Sequence, residues 1–243
     1  MSGKITKHIP NFITCLNLFC GVLAIVFTFE GYLEISAVLI LVAAIFDFMD
    51  GMTARLLKAY SELGKQLDSL ADMVSFGVAP AMILFMMHLK SYAAFSIYEL
   101  SPWALAIASS AFLVAIFSGL RLAKFNIDTR QENNFIGLPT PANAVLILSY
   151  PLIIKYSNHY PDFLYNQYFL LGQAIFSSIM LVANIEMFSL KFKNLKLKEN
   201  RIRFFFIFIS LILLATLKIL AIPAIIICYI AISIINGLIT KNN

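Results

Sequence analysis

Eight apolar stretches divide this chain, and little charge falls inside them. They run roughly over Asn11–Phe29, Ile35–Leu57, Leu67–Leu89, Pro102–Leu122, Pro141–Tyr156, Tyr168–Ile185, Phe204–Ile219 and Ala221–Leu238. A helix needs about 20 apolar residues to cross a bilayer core. Hydrocarbon tolerates only segments that satisfy their own backbone hydrogen bonds. The expectation is an all-α polytopic membrane helical bundle of about eight transmembrane helices, forming one domain over residues 1–243. The fifth stretch is short and the last two nearly touch, so seven crossings is the alternative count. Only 13% of the residues are charged, about half the share of a soluble domain. Met1–Pro10 is short and basic and leads directly into the first stretch, so no cleavable signal peptide is expected.

Lys and Arg set the sidedness of such a bundle. With eight crossings, Lys90, Lys155 and Lys218 fall on one side and the other fifteen on the opposite side, among them Lys4, Lys7, Arg55, Lys65, Arg121, Arg130, Lys191, Lys193, Lys198 and Arg203. Both termini then face the cytoplasm of a prokaryotic cytoplasmic membrane. The densest basic run, Lys191–Arg203, reads as a cytoplasmic loop touching anionic headgroups. Nucleic-acid binding is excluded by the same pattern. Cys15, Cys20 and Cys228 lie in apolar stretches with no metal-ligand spacing and read as packing residues. His8, His88 and His159 are scattered near the ends of stretches and suggest no shared chemistry.

Four carboxylates interrupt the second and third stretches. Asp47, Asp50, Gly51 and Ala54 fall within about 100° of arc on one helix, with Arg55 at the edge. Gly64, Asp68, Asp72 and Ser75 fall within roughly 80° on the next. The connection from Lys58 to Gln66 is short, which makes the two helices antiparallel neighbours and brings the acidic faces to one cytoplasmic-facing polar cavity. Four anions sharing a cavity need counter-charge, or repulsion protonates some of them. Oxygen-only ligands suit Mg²⁺, Mn²⁺ or Ca²⁺ rather than Zn²⁺. Two such cations can clamp a pyrophosphate, small residues admit a ligand close to the backbone, and Arg55 can pair with a phosphate. Carboxylates at membrane depth also serve as ion relays in coupled transporters, the rival class. That class carries inverted repeats, and no second copy of the acidic pattern exists in the chain.

The full spacing, Asp47-x2-Asp50-Gly51-x2-Ala54-Arg55-x8-Gly64-x3-Asp68-x3-Asp72, resembles the signature of the CDP-alcohol phosphatidyltransferases without a substitution. Ser75-Phe76-Gly77-Val78-Ala79-Pro80-Ala81 is similar to the extension found in membrane-integral phosphatidylserine synthases. So are Pro10-Asn11-Phe12-Ile13-Thr14, Arg121-Leu122-Ala123-Lys124-Phe125-Asn126, Gly137-Leu138-Pro139-Thr140-Pro141 and Met187-Phe188-Ser189-Leu190-Lys191. The resemblance implies metal-dependent transfer of a phosphatidyl group from CDP-diacylglycerol to L-serine, giving phosphatidylserine and CMP in a homodimer. It implies two divalent cations on Asp47, Asp50, Asp68 and Asp72, with Asp72 as general base. It implies a CDP-lipid site made of Thr14, Asp47, Gly51, Ala54, Arg55 and Gly64. For the serine zwitterion, Arg121 suits the carboxylate by its fork geometry, and Ser75, Asn126 and Thr140 can add hydrogen bonds. Pro139 and Pro141 also suit the start of a helix. The same chemistry with glycerol 3-phosphate or inositol phosphate as acceptor is the nearest alternative.

Overall fold

The computed structural model describes residues 8–127, 135–157, 161–189, 196 and 200–241. Eight helices occupy the eight apolar stretches: α1 (Ile9–Phe29), α2 (Leu33–Leu56), α3 (Glu62–Ser91), α4 (Pro102–Ile127, with a turn at Ser110 and Ala111), α5 (Thr140–Tyr156), α6 (Gln167–Val182), α7 (Arg201–Leu217) and α8 (Ala221–Lys241). Five stretches are long and apolar enough to cross a bilayer: α1, α2, α3, α4 and Arg201–Ile239, which holds α7 and most of α8. Lys218, at φ 51°, breaks that last stretch. At 17 and 16 residues, α5 and α6 lie at the short end of crossing length. Of the residues singled out from sequence, Lys4, Lys7, Arg130, His159, Lys191, Lys193 and Lys198 lie outside the described residues.

Two helices reach further toward the acidic end than the apolar pattern suggested. The third begins at Glu62 rather than Leu67, because Ser61 caps it by accepting from the Gly64 N–H at 3.0 Å. The fourth continues past Leu122 to Ile127, held by Asn126 Nδ2 donating to Ser69 Oγ at 2.8 Å and Lys65 Nζ donating to the Asn126 carbonyl at 3.4 Å. Polar first and last turns stay helical when capped or cross-linked, so hydropathy underestimates their length.

Hydrogen bonds also set the register between helices. Thr28 Oγ1 donates to Ser36 Oγ at 2.7 Å, and Thr14 Oγ1 donates to Asp50 Oδ2 at 2.6 Å. Both pairs obey one antiparallel register of α1 on α2, in which Asn17 faces Asp47. On the other flank of α1, Gly64 meets Asn11, while Ser75 donates to the Asn17 carbonyl at 3.1 Å. Thus α1 is the wall shared by both acidic helices. The sequence expectation had the acidic faces of α2 and α3 meeting at one polar cavity, and the structure has Asp47, Asp50 and Asp68 together at a cavity. What the sequence did not show is that α1 packs closely on both helices while α2 meets α3 chiefly from Met73 onward.

Within α3, residues Met73–Val78 widen into a π-helix directly after Asp72. Pro80 explains it: proline has no N–H to donate and its ring collides with the carbonyl four residues back. Widening the turn moves the Phe76 carbonyl aside, and such bulges recur beside functional sites. Packing around the π-turn is close. A Cβ on Gly21 would lie 2.9 Å from Ser75 Cα, and one on Gly77 would lie 3.0 Å from Ser118 Cβ. Gly21→Ala is therefore expected to destabilise the protein by about 1–3 kcal/mol, read as a lower melting temperature in detergent. An unchanged melting temperature would mean that the α1–α3 approach is loose.

The main core gathers α1, α2, α3, α5 and α6 around fully buried Phe76, Ile83, Leu84, Ile147 and Leu148. A smaller one, including Leu138, Met187, Phe188, Phe206 and Tyr229, joins α7 and α8 to a two-stranded pairing of β1 (Phe135–Ile136) with β2 (Glu186–Met187). Gly137, at φ 77°, makes that corner: a Cβ there would lie 3.1 Å from the Leu181 carbonyl carbon. At the end opposite the aspartates, Lys155 pairs with Glu34 at 3.0 Å and Lys90 Nζ donates to the Gly31 carbonyl at 3.2 Å. Cys15 is exposed, Cys20 buried and Cys228 half-buried, and all three are free thiols. His88 lies in the last turn of α3, near a helix end as the sequence suggested, and is fully buried with neither ring nitrogen hydrogen-bonded.

Candidate active site

The last three turns of α2 and the first three of α3 bring the acidic residues together. Carboxylate oxygens of Asp47, Asp50 and Asp68 all lie within 4.8 Å of one another. Asp72, one turn deeper than Asp68, is within side-chain hydrogen-bonding reach of Asp47 and feels the charges of Asp68 and Asp50. Its Oδ1 is enclosed and has no hydrogen-bond partner. Three carboxylates at this spacing, with a fourth adjoining, form an oxygen-only donor set. That set fits a hard divalent cation, which takes six or more oxygens. Thr14 orients it, since its hydroxyl lies against Asp50 at 2.6 Å and leaves the other carboxylate oxygen available.

A cavity of about 690 Å³ opens from this cluster toward the polar end of the bundle. Thr14, Asp47, Gly51, Ala54, Arg55 and Gly64, the six positions expected from sequence to hold a CDP-lipid, all line it. Gly51 borders open space, with nothing within 4 Å of where a Cβ would stand. Gly64 differs: its Cβ would lie 2.8 Å from Asn11 Oδ1, so here glycine lets α1 and α3 close. Gly51→Val should accordingly leave the melting temperature unchanged and raise the KM for a cavity ligand by about tenfold or more, the loss of a few close contacts. A melting temperature lowered as much as that of Gly21→Ala would contradict the open placement of Gly51.

The residues expected on the acceptor side occupy a different place. None of Ser75, Arg121, Asn126 and Thr140 lines the cavity. Arg121 is buried on α4, its Nη1 donating to Thr140 Oγ1 at 3.4 Å, and it lies within range of the Asp72 charge. Its Nε has no partner. The α3–α4 register supports that placement: Asn126 meets Ser69 and Ser118 meets Gly77, which sets Arg121 beside Val74. Asn126 is spent on holding α4 to α3. Ser75 is fully buried with its hydroxyl on the Asn17 carbonyl. Thr140 opens α5 with Pro141 in its first turn, so Pro139 and Pro141 do the helix-starting work that their positions suggest.

Some site residues went unnoticed in the sequence. Asn11, Tyr60, Ser61, Glu62 and Lys65 also line the cavity. Asn11 stands inside the segment Pro10–Thr14 that already carried a resemblance, which was the available signal. Asn17 is fully buried and neither end of its amide is hydrogen-bonded. A polar residue one turn after Thr14 in an otherwise apolar helix was its signal.

Comparison with known proteins bears on this geometry. The CDP-alcohol phosphatidyltransferase family profile matches residues 7–189, a span holding all four aspartates, Arg121 and Thr140. A CDP-diacylglycerol–serine O-phosphatidyltransferase of Helicobacter pylori strain J99 is 31% identical over 88% of this chain and 84% of its own length. One of Bacillus subtilis strain 168 is 37% identical over 59% of this chain and 76% of its own. An archaetidylserine synthase of Methanothermobacter thermautotrophicus is 35% identical over 63% of each.

Proposed function

The chain belongs to the CDP-alcohol phosphatidyltransferases, and from that premise we propose that it transfers the phosphatidyl group of CDP-diacylglycerol to the hydroxyl of L-serine. The observation that carries this reading is the meeting of Asp47, Asp50 and Asp68 at one end of a cavity lined by Gly51, Ala54, Arg55 and Gly64. Family membership sets the ion-relay alternative aside. Serine is favoured over other acceptors by relatives named for serine transfer in Helicobacter and Bacillus, and by an archaeal relative named for archaetidylserine.

In this reading the nucleotide and pyrophosphate occupy the cavity, with Arg55 at its rim against a phosphate. The lipid tails stay in the bilayer. Asp47, Asp50, Asp68 and Asp72 would hold two divalent cations, Mg²⁺ or Mn²⁺ with Ca²⁺ as the third candidate, which when bound supply charge stabilisation for the pyrophosphate and the departing CMP. Arg121 orients the acceptor through its carboxylate. Asp72 takes the proton from the serine hydroxyl as that oxygen bonds to the β-phosphorus. The bond from the β-phosphorus to the bridging oxygen breaks, and CMP leaves with the electron pair. The whole chain, residues 1–243, works as one catalytic domain. Its acidic end and both termini face the cytoplasm of a prokaryotic inner membrane, as the Lys and Arg distribution favours. Two copies form a homodimer.

The test is CMP release by purified protein given CDP-diacylglycerol with serine, glycerol 3-phosphate or inositol phosphate in turn. Serine should support turnover at least about a hundredfold faster than either phosphate ester, the discrimination a charged, hydrogen-bonded acceptor site achieves. Equal or greater rates with an ester would replace serine while leaving the chemistry in place.

A further inference from the structure

The side of the aspartates that faces away from the cavity carries a second set of unsatisfied groups. Asn17, Asp72 and Arg121 come from three helices, α1, α3 and α4, that meet at the π-turn. Each has a buried polar atom with no partner: both ends of the Asn17 amide, Asp72 Oδ1 and Arg121 Nε. The α1–α2 register sets Asn17 opposite Asp47, with which Asp72 shares a hydrogen bond. Arg121 stands within the charge range of Asp72 from the other flank. Groups left unpaired in a dry interior carry a large desolvation penalty unless a ligand or water completes them. The Ser75 hydroxyl, which reaches α1 at this point, is committed to the Asn17 backbone carbonyl and not to the side-chain amide.

We propose that Asn17 is a specificity-determining residue of the acceptor side, reading the amino group of a hydroxy-amino acid while Arg121 reads its carboxylate. The proposal rests on the serine-transfer reading above. An amide oxygen accepts from an ammonium and a guanidinium donates to a carboxylate, and Asp72, within charge range of Arg121 and hydrogen-bonded to Asp47, is available to the hydroxyl. A phosphate ester has only neutral hydroxyls to offer the amide oxygen and no ammonium, so it forgoes the charge-assisted hydrogen bond. This arrangement thus gives the selectivity that the cavity, built for the other substrate, does not contain.

The experiment follows CMP release from CDP-diacylglycerol in detergent, with serine as substrate and two fragments as substrates or competitors. These are 3-hydroxypropionate, which lacks the amino group, and ethanolamine, which lacks the carboxylate. In the unaltered protein 3-hydroxypropionate should be about 10- to 100-fold weaker than serine, the worth of one charge-assisted hydrogen bond. Asn17→Leu, of similar volume, should raise the KM for serine by the same factor and leave the KM for CDP-diacylglycerol within about twofold. It should also abolish the preference for serine over 3-hydroxypropionate and keep the preference over ethanolamine. Asn17→Asp, which retains the oxygen, should keep both preferences. An unaltered KM for serine in Asn17→Leu, or loss of both preferences together, overturns the assignment. If the leucine variant shows no melting transition, the unaltered protein decides: equal competition by 3-hydroxypropionate and serine would mean that only water meets the amide. Absence of CMP release with serine from the unaltered protein would instead remove the underlying serine reading.

Discussion

Asp72→Asn is expected to lower CMP release by about a thousandfold, near the middle of the range for a lost general base. It should leave CDP-diacylglycerol bound. Asparagine is nearly isosteric with aspartate, and the three carboxylates that meet most closely are Asp47, Asp50 and Asp68, all untouched by this change. Asp72 stands one turn deeper, with an enclosed Oδ1 that has no partner. That oxygen is not taken up by a hydrogen bond within the fold, so it is free to accept a proton. Two measurements on matched amounts of protein check this: the turnover rate, and the melting shift caused by CDP-diacylglycerol. A variant as active as the parent would strip Asp72 of the role of base. A variant that lost both turnover and the melting shift would make the Asp72 carboxylate indispensable to the cation site and leave its role as base undemonstrated.

The division between those two roles was only partly visible before the structure. The eight apolar stretches gave the helices and their order, because lipid exposure leaves an unbroken run of hydrophobic letters. Hydropathy does not separate lipid-facing helices from enclosed ones: α5 is as apolar as its neighbours, yet most of its residues are buried in the bundle. It under-reads where a helix leaves the apolar layer, as at Ser61–Gln66 and Ala123–Ile127, because caps and cross-links are not encoded in hydropathy. The aspartate spacing located the acidic faces correctly on their own helices. It could not show that α1 forms a wall shared by both, because the contact of Gly21 with Ser75 and the Thr14–Asp50 hydrogen bond join residues far apart in the chain. For the same reason Asn17 was passed over. Its significance lies in what faces it, not in its neighbours along the sequence. Arg121, in contrast, read both as a partner for the serine carboxylate and as a charge near the end of a stretch, and its burial within range of the Asp72 charge accompanies the extension of α4 to Ile127.

Removing divalent cations should bring CMP release down to background, the largest effect expected of any single change. Asp47, Asp50 and Asp68 crowd their oxygens within 4.8 Å, and Asp72 adjoins them. At such distances like charges repel strongly in a poorly solvated site. The arrangement is stable as four anions only with positive charge between them, and without it some carboxylates must take up protons. A protonated cluster neither neutralises a pyrophosphate nor accepts a proton from an alcohol. Cation loss thus disables binding and chemistry together, whereas Asp72→Asn disables chemistry first. Dialysis against EDTA followed by assay measures the loss, and stepwise return of Mg²⁺ or Mn²⁺ measures recovery. Electron paramagnetic resonance of added Mn²⁺ counts the ions directly, with two per chain expected. Asp50→Ala should weaken that binding, and Thr14→Val should weaken it less, because the Thr14 hydroxyl only orients the Asp50 carboxylate. Full activity after exhaustive chelation would sink the cation reading whatever the aspartate geometry, and would return the four carboxylates to competing for protons alone.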